Sequence, residues 1–505
     1  MARSTLCSKR ADCLLRAGAK ADRLRDYRLR SAKGRALTAE TDYLIVGAGA
    51  VGMAFADTLL AETDAHLTIV DREVAPGGHW NHAYPFVALH QPSMIYGVNS
   101  TALGTGAKDL VGHNAGLYEL ASGAEVLAYF DQVMHRQLLP SGRVTYHPLS
   151  EYKGNQTYVS LASGARTKLK VRRKTVDATY MEAAVPALHT PRFTIGEGVR
   201  FVAPHALPDE LRRGPVPRAY VILGGGKTAM DVAHWLLTTG VAPDAITWVR
   251  PRDSWLLNRQ TVQPSMDFFA QSIGGQAAQM EAYATAHDVD DLFDRLERAE
   301  IMLRIDRAVK PSMMRFATIS KAEIELLRRI ERVVRRGRVL ALNASGIEFN
   351  DGEEAIPGAP LYIDCTASAA APRPLQPIFQ GDRIVLQFVW SPLTVLSAAM
   401  IAFVEAHNED DFIKNALCAP VSMSDSVADY VPIILGNMAN QRQQAQDREL
   451  RAWMRNARLD GFAGLMAAVD ADDIEKLAMV HRIRKAAPDA FANLTRIAAT
   501  GRCDA

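Results

Sequence analysis

Twice in this chain a short apolar strand runs straight into a glycine-rich turn that opens a helix, and few folds accommodate that arrangement. The first instance is Thr41–Val46 (TDYLIV), apolar and partly β-branched, followed by Gly47-Ala48-Gly49-Ala50-Val51-Gly52 and an Ala/Leu-rich helix expected from Ala50 to Ala61. A second strand, His66–Val70, ends at Asp71. Gly47 permits the tight turn, Gly49 leaves room for a pyrophosphate to reach the backbone, and Gly52 lets the helix lie close on the sheet. The helix N-terminus offers free N–H groups and positive potential to phosphates. Asp71 stands where an acid accepts hydrogen bonds from ribose hydroxyls.

The second instance is Tyr220–Leu223, then Gly224-Gly225-Gly226-Lys227-Thr228-Ala229-Met230-Asp231, then a helix expected over Val232–Thr239. Gly224 and Gly226 take the turn and close-approach roles, and Ala229 is small enough for the third. Lys227 and Thr228, at the helix entrance, are candidate phosphate ligands. The stretch is not GxxxxGK[ST], so it is no nucleoside triphosphatase loop. The next strand, Ala245–Val249, ends in Arg250-Pro251-Arg252 rather than in an acid. Arginines there pair with a 2′-phosphate and favour NADPH over NADH; Asp253 beside them could neutralise one. Two such cradles in one chain imply FAD retained at the first and a nicotinamide cofactor delivering hydride from the second. The expected fold class is α/β: two Rossmann-like dinucleotide-binding domains, the FAD domain discontinuous and the NAD(P) domain inserted, with a mainly helical C-terminal region.

With these motifs the chain resembles the two-dinucleotide flavoproteins, in particular the flavin-containing and Baeyer–Villiger monooxygenases. The first cradle is followed by Gly77-Gly78-His79-Trp80, similar to their GGxW element against the flavin, which implies cofactor roles for Gly78 and Trp80. Asp231 resembles the acid of their nicotinamide motif. Tyr362-Ile363-Asp364-Cys365-Thr366-Ala367 resembles the strand that returns to the FAD domain and implies a cofactor role for Asp364. The likeness spans about 40–405 as spaced motifs; Trp248–Gln260 and Tyr84–Ser100 also resemble a poorly characterised branch of NAD(P)/FAD-dependent oxidoreductases. There are departures. Phe193-Thr194-Ile195-Gly196 does not complete the FxGxxxH fingerprint, His205 falling too late, and His-Gln-Pro-Ser replaces the flavin-facing Asn-Thr-Ser around Leu89–Ser93.

A monooxygenase needs hydrogen-bond donors at the flavin's reactive edge and a site that excludes water. His79, His90 and Gln91 are the candidate catalytic residues, with His82 and Ser93 in the same polar cluster and Trp80, Tyr84 and Phe86 as an apolar wall. The same histidines also read as hydrogen-bonded loop and core groups, the commoner fate of a buried polar side chain. The expected activity is reduction of FAD by NADPH and monooxygenase-like action on a small organic substrate. Its rivals are a flavin enzyme that passes electrons on without oxygenation and a dinucleotide-binding sensor or scaffold.

The segments expected are a basic arm (1–38), FAD domain (39–214), NAD(P) domain (215–356), FAD domain again (357–410) and a helical C-terminal region (411–505), the last left open between a pocket wall and a homodimer contact. Crossings are marked by Gly214-Pro215-Val216-Pro217 and Ile356-Pro357-Gly358-Ala359-Pro360. Pro264–Gly337 reads as helix-like, with Ile324, Leu327, Ile330 and Val334 on one face. Residues 1–40 carry 11 Lys/Arg against 4 Asp/Glu, while the whole chain is only +2. The body is therefore mildly acidic and unlike a nucleic-acid binder. The arm has no apolar core and is no secretory signal; it reads as a solvated tail, an upstream start, or more weakly a transit peptide. No apolar run reaches a membrane span. Five scattered cysteines without a CxxC argue for a reducing compartment and a cytoplasmic protein. No metal-ligand spacing is present.

Overall fold

The strand Ala39–Val46 is central to a parallel sheet because its apolar residues are flanked on both sides: Val46 pairs in register with Val70 of Leu67–Val70 on one side and with Asp177 of Arg166–Asp177 on the other. Val144–His147 and Arg383–Val385 extend the sheet outward, also parallel. In chain order the strand sequence reverses at Ala39–Val46, which makes its C-terminal end a topological switch point, where open α/β sheets bind ligands. The computed structural model describes residues 39–181, 185–367 and 373–500; the basic arm lies outside them.

A second parallel sheet repeats the plan. Its order is Val333–Val334, Ile246–Val249, Tyr220–Leu223, Leu361–Asp364, Arg200–Val202. Tyr220–Leu223 is again central and fully buried. The molecule is thus an α/β protein built on two Rossmann-like units. The crossings differ from those the Pro/Gly signals suggested. Arg200–Val202 and Leu361–Asp364, expected on the FAD side of 214 and 357, both pair within the second sheet. Gly214–Pro217 joins helix Leu207–Arg213 to Tyr220–Leu223, and Ile356–Pro360 joins Gly352–Ala355, of a separate four-stranded sheet, to Leu361–Asp364.

Helix Ala50–Glu62 is apolar on nearly every side and buried through most of its length, as a helix covered on both faces must be. Its outer face meets helix Thr394–His407, itself buried from Val395 to Glu405. The stretch Pro264–Gly337 is not uniformly helical. Helices Phe269–Thr285, Val289–Arg298 and Lys321–Leu327 alternate with strands Met302–Leu303 and Met313–Ile319, and Val334 lies in an edge strand. Ile324, Leu327 and Ile330 do share one buried face; the paired valines after them take the strand that β-branching favours. The C-terminal region is helical, and its last helix, Ile474–Thr500, lies along Phe269–Thr285. Among the described residues no helix is long and apolar enough to cross a membrane.

Candidate functional site

The first turn leaves the sheet at Gly47, whose φ of +105° suits glycine and whose N–H donates to the Val70 carbonyl at 2.8 Å. A Cβ on Gly52 would stand 2.0 Å from the Gly47 carbonyl oxygen, so helix and turn touch through backbone. Gly49 precedes the helix without a side-chain cap, leaving its first N–H groups for an anion. The Gly77-Gly78-His79-Trp80 element folds back on this turn: Gly77 N–H donates to the Ala48 carbonyl at 2.9 Å, and a Cβ on Gly78 would lie 2.9 Å from the Gly49 Cα. Asp71, at the end of the neighbouring strand, accepts from the Ala48 N–H and, at 2.8 Å, from the Glu73 N–H. Burial raises its pKa. Trp80 is buried and donates through Nε1 to the Tyr96 hydroxyl at 2.9 Å. The His79 ring stacks on it at 5.3 Å. The ring is exposed, yet the protein crowded around it disfavours its charged form and lowers its pKa to about 4.

The second turn is built alike and finished differently. Gly224 has φ +121°, and a Cβ there would come 2.6 Å from the Cys365 carbonyl oxygen, where the adjacent strand ends. Gly226 precedes helix Lys227–Thr238, again uncapped, and a Cβ on it would meet no atom of the described residues within 4 Å. The helix starts at Lys227, five residues before the expected Val232. Arg250 lies along Gly225 and over the Trp248 ring at 4.6 Å. It is 2% exposed, pairs with Asp253 at 3.0 Å, and among the described residues its Nε and Nη1 find no acceptor. Arg335 also holds Asp253, at 2.8 Å. Arg252 is exposed. Asp364 sits in the second sheet rather than in a return to the first unit. Its Oδ1 accepts from the Thr366 N–H at 2.9 Å and the Thr366 hydroxyl at 2.6 Å, which commits it to its own turn.

Between the turns a polar junction joins the two units. Tyr84, from the loop after the first turn, donates to Asp231 Oδ2 at 2.6 Å, and Lys227 pairs with Asp231 Oδ1. Burial, then the Asp231 charge, raises the Tyr84 pKa far above its usual value, so the phenol stays protonated and donates. One helical step on, Phe86 stacks on Trp235 at 4.7 Å and His113 meets His234 at 3.2 Å. Arg259, 1% exposed, donates to the His90 carbonyl at 3.1 Å, to Asn114, to Glu323 at 2.6 Å and to the Thr318 carbonyl at 3.2 Å. Burial works to raise the Glu323 pKa, but the Arg259 and Lys227 cations outweigh it and hold the acid ionised. Burial drives the His90 pKa well down, and the same two cations add to that. His90 therefore lies at this junction, with half-buried Gln91 next to it in the chain, whereas His79 belongs to the first turn. The sequence marks Tyr84 only as part of an apolar wall. Arg259, Glu323 and Asn114 gave no local signal as a set, since they meet across 64 and 145 residues. The Ser320–Glu323 capping pattern and the four-residue spacing of Lys227 and Asp231 were readable.

No family model matches the chain. It is 48% identical over 439 residues to uncharacterized proteins of Mycobacterium tuberculosis and Mycobacterium bovis, a match covering 86% of this chain and 80% of each relative. Among solved structures it is similar to a flavin-containing monooxygenase from Stenotrophomonas maltophilia (17% identity, 73% of this chain and 98% of that one, TM-score 0.39). It is also similar to cyclohexanone monooxygenase in an open crystal structure (14% identity, 74% and 89%, TM-score 0.43). A third similarity is to cyclohexanone monooxygenase from Rhodococcus sp. Phi1 bound to NADP+ (12% identity, 73% and 84%, TM-score 0.44).

Proposed function

The chain belongs to the same family as those mycobacterial proteins, and we propose that it is an oxidoreductase that holds FAD at the first glycine turn and takes hydride from NADPH at the second. The observation carrying this reading is the pairing itself: two parallel sheets, each with an uncapped helix entered from a glycine turn at its central strand, joined through Tyr84 and Asp231. Both seats suit a diphosphate, since each offers backbone N–H groups at the positive end of a helix. At the first, Gly47, Gly49, Gly52 and Gly78 form a slot of backbone only, and Asp71 stands at its mouth for a ribose. At the second, the unpaired Arg250 donors and the exposed Arg252 supply what a 2′-phosphate needs.

A bound flavin would supply the redox chemistry, accepting a hydride and passing its electron pair to dioxygen, one atom of which would go into a small organic substrate and the other into water. The chain's own residues place it. Trp80, with Tyr96 behind it, forms one wall; neutral His79 and His90 offer imidazole donors or acceptors without adding charge; and Arg259 anchors the His90 carbonyl. The departure from Asn-Thr-Ser at Leu89–Ser93 favours, as a second reading, electron transfer without oxygenation.

The decisive measurement is rapid-mixing absorbance spectroscopy of the purified, FAD-supplemented protein. The proposal expects a retained flavin spectrum bleached faster by NADPH than by NADH, followed by oxygen uptake matched by oxygenated product. Oxygen consumed only as released peroxide selects the second reading. A colourless protein that takes up no FAD overturns both.

A further inference from the structure

Lys227 occupies an electrostatically awkward place. It is the first residue of helix Lys227–Thr238, at the helix end where backbone dipoles disfavour a cation and favour an anion. Its partner Asp231 follows it by four residues, the less favourable order for a helical ion pair. Arg259 stands close enough, with Lys227, to act on both His90 and Glu323, so the neighbourhood is already rich in positive charge. Both members of the pair are only 14% exposed, so solvent screens the mismatch weakly. Asp231 is also shared, since its second oxygen accepts from Tyr84 of the other unit at 2.6 Å. Beside the pair, among the described residues, a Cβ on Gly226 would meet no atom within 4 Å, and buried Arg250 brings donors that have no acceptor. Three features converge on one anionic ligand: a cation at the wrong helix end, orphaned guanidinium donors and an open glycine.

We propose that Lys227 is an exchangeable counter-ion, leaving Asp231 for the phosphates of a bound nicotinamide dinucleotide, and that the released Asp231 carboxylate tightens on Tyr84 and so reports occupancy of the second turn to the first unit. This rests on the reading of the second turn as a dinucleotide seat. Lys227 is then a binding residue, and Asp231 and Tyr84 are positioning residues that act through it. His90, His113, His234, Arg259 and Glu323 face the same junction and remain in place while the lysine changes partner.

Titration calorimetry of the full-length, flavin-loaded protein with NADP+ tests this. Lys227→Gln is expected to weaken binding about tenfold, and Lys227→Arg to stay within about threefold. Asp231→Asn is expected to tighten binding by about three- to tenfold, because the phosphates no longer compete with a carboxylate for the lysine, and this gain shrinks in the Lys227→Gln background. A pair that merely braces the helix predicts the opposite sign: Asp231→Asn would lower the melting temperature and leave affinity unchanged or weaker. Tyr84→Phe is expected to bind NADP+ about threefold more weakly than the wild type, because the released Asp231 loses its remaining donor, and to lose the NADP+-induced change in the flavin's visible spectrum. Wild-type protein that binds no NADP+ overturns the dinucleotide seat and the exchange together. Wild-type binding that neither Lys227→Gln nor Asp231→Asn alters overturns the exchange alone.

Discussion

The two glycine turns share a plan and differ in how the chain treats their open side. At the first, the molecule closes over its own turn: Gly78 lies against Gly49, Asp71 reaches the Ala48 N–H, and helix Thr394–His407 covers the helix that follows. At the second, among the described residues, the space beyond Gly226 is open, Arg250 keeps unpaired donors, and Lys227 and Asp231 are paired with each other. A seat walled by the fold suits a group held through many turnovers; a seat lined by re-pairable charge suits one that comes and goes. On the function proposed above, the same strand–turn–helix unit would serve retention or exchange according to what packs outside it.

The comparison breaks most simply on one added methyl at each turn. Gly52→Ala would drive a Cβ to 2.0 Å from the Gly47 carbonyl oxygen. The expected loss is on the order of 4 kcal/mol in chemical denaturation, with flavin content falling in parallel. Gly226→Ala meets nothing within 4 Å among the described residues, so stability should fall by under about 1 kcal/mol while NADPH binding is lost to the methyl standing in the anion's space. Equal effects at the two glycines would erase the distinction drawn between the turns.

Arg259→Met tests whether the junction is a structural hub. It strips a 1%-exposed guanidinium from Glu323 and from the His90 carbonyl, and breaking a buried pair from one side costs roughly 3–4 kcal/mol. Urea unfolding would show it, and Arg259→Lys should recover only part, because one ammonium cannot serve four acceptors in a plane. A loss below about 1 kcal/mol would mean the units do not depend on this anchor.

Much of this was legible in the sequence, for a physical reason. A dinucleotide turn needs glycine at fixed offsets, a strand before it and a helix after it, so Gly47, Gly49, Gly52, Gly224 and Gly226 announce themselves within a dozen residues. The junction did not. Tyr84 and Asp231 are 147 residues apart, and Arg259 gathers partners from two loops, a strand and a helix; no local pattern encodes which polar side chains a fold will bring face to face. The domain crossings misled for a related reason. Pro/Gly runs mark turns well, but which sheet the next strand enters depends on pairing, and Leu361–Asp364 pairs with Tyr220–Leu223. Val334 continued a helical spacing by coincidence, in a stretch where β-branched residues close a sheet edge.

At the second turn, Arg250 should govern cofactor choice more than stability. Its Asp253 partner retains Arg335 at 2.8 Å, so Arg250→Ala leaves no stranded acid. The expected outcome is a ten- to hundredfold fall in kcat/KM for NADPH, about 1.4–2.7 kcal/mol, with the value for NADH nearly unchanged. A parallel fall for both cofactors would move the 2′-phosphate away from this arginine.

The smallest effect probes the closure of the first turn. Arg458 donates to the carbonyls of Met94, Tyr96 at 3.0 Å, and Val98, pinning the segment that follows the first turn's GGHW element. Beside it, Gly461 abuts Ile95. Asp460, between them, is 5% exposed; burial raises its pKa from the usual 3.8 to about 6 against the pull of the Ala463 and Phe462 N–H groups. The folded state therefore binds a proton that the unfolded chain releases at lower pH. Near pH 3.5 both states are largely protonated and the residue is neutral to stability. Between about pH 4 and pH 6 the unfolded chain ionises first, so stability falls as pH rises, and the full penalty persists above the folded pKa. Asp460→Asn keeps an acceptor for the Ala463 N–H, 2.6 Å from Asp460 Oδ2, and carries no charge. It should be about 1–2 kcal/mol more stable than the wild type at pH 8 and no more stable near pH 3.5, by denaturant unfolding at the two values. If this segment also helps to hold the first seat shut, flavin release at pH 8 slows a few-fold in the variant while NADP+ release from the second is unaltered. A variant equal to the wild type at both pH values would remove Asp460, and with it this loop, from the closure of the first turn.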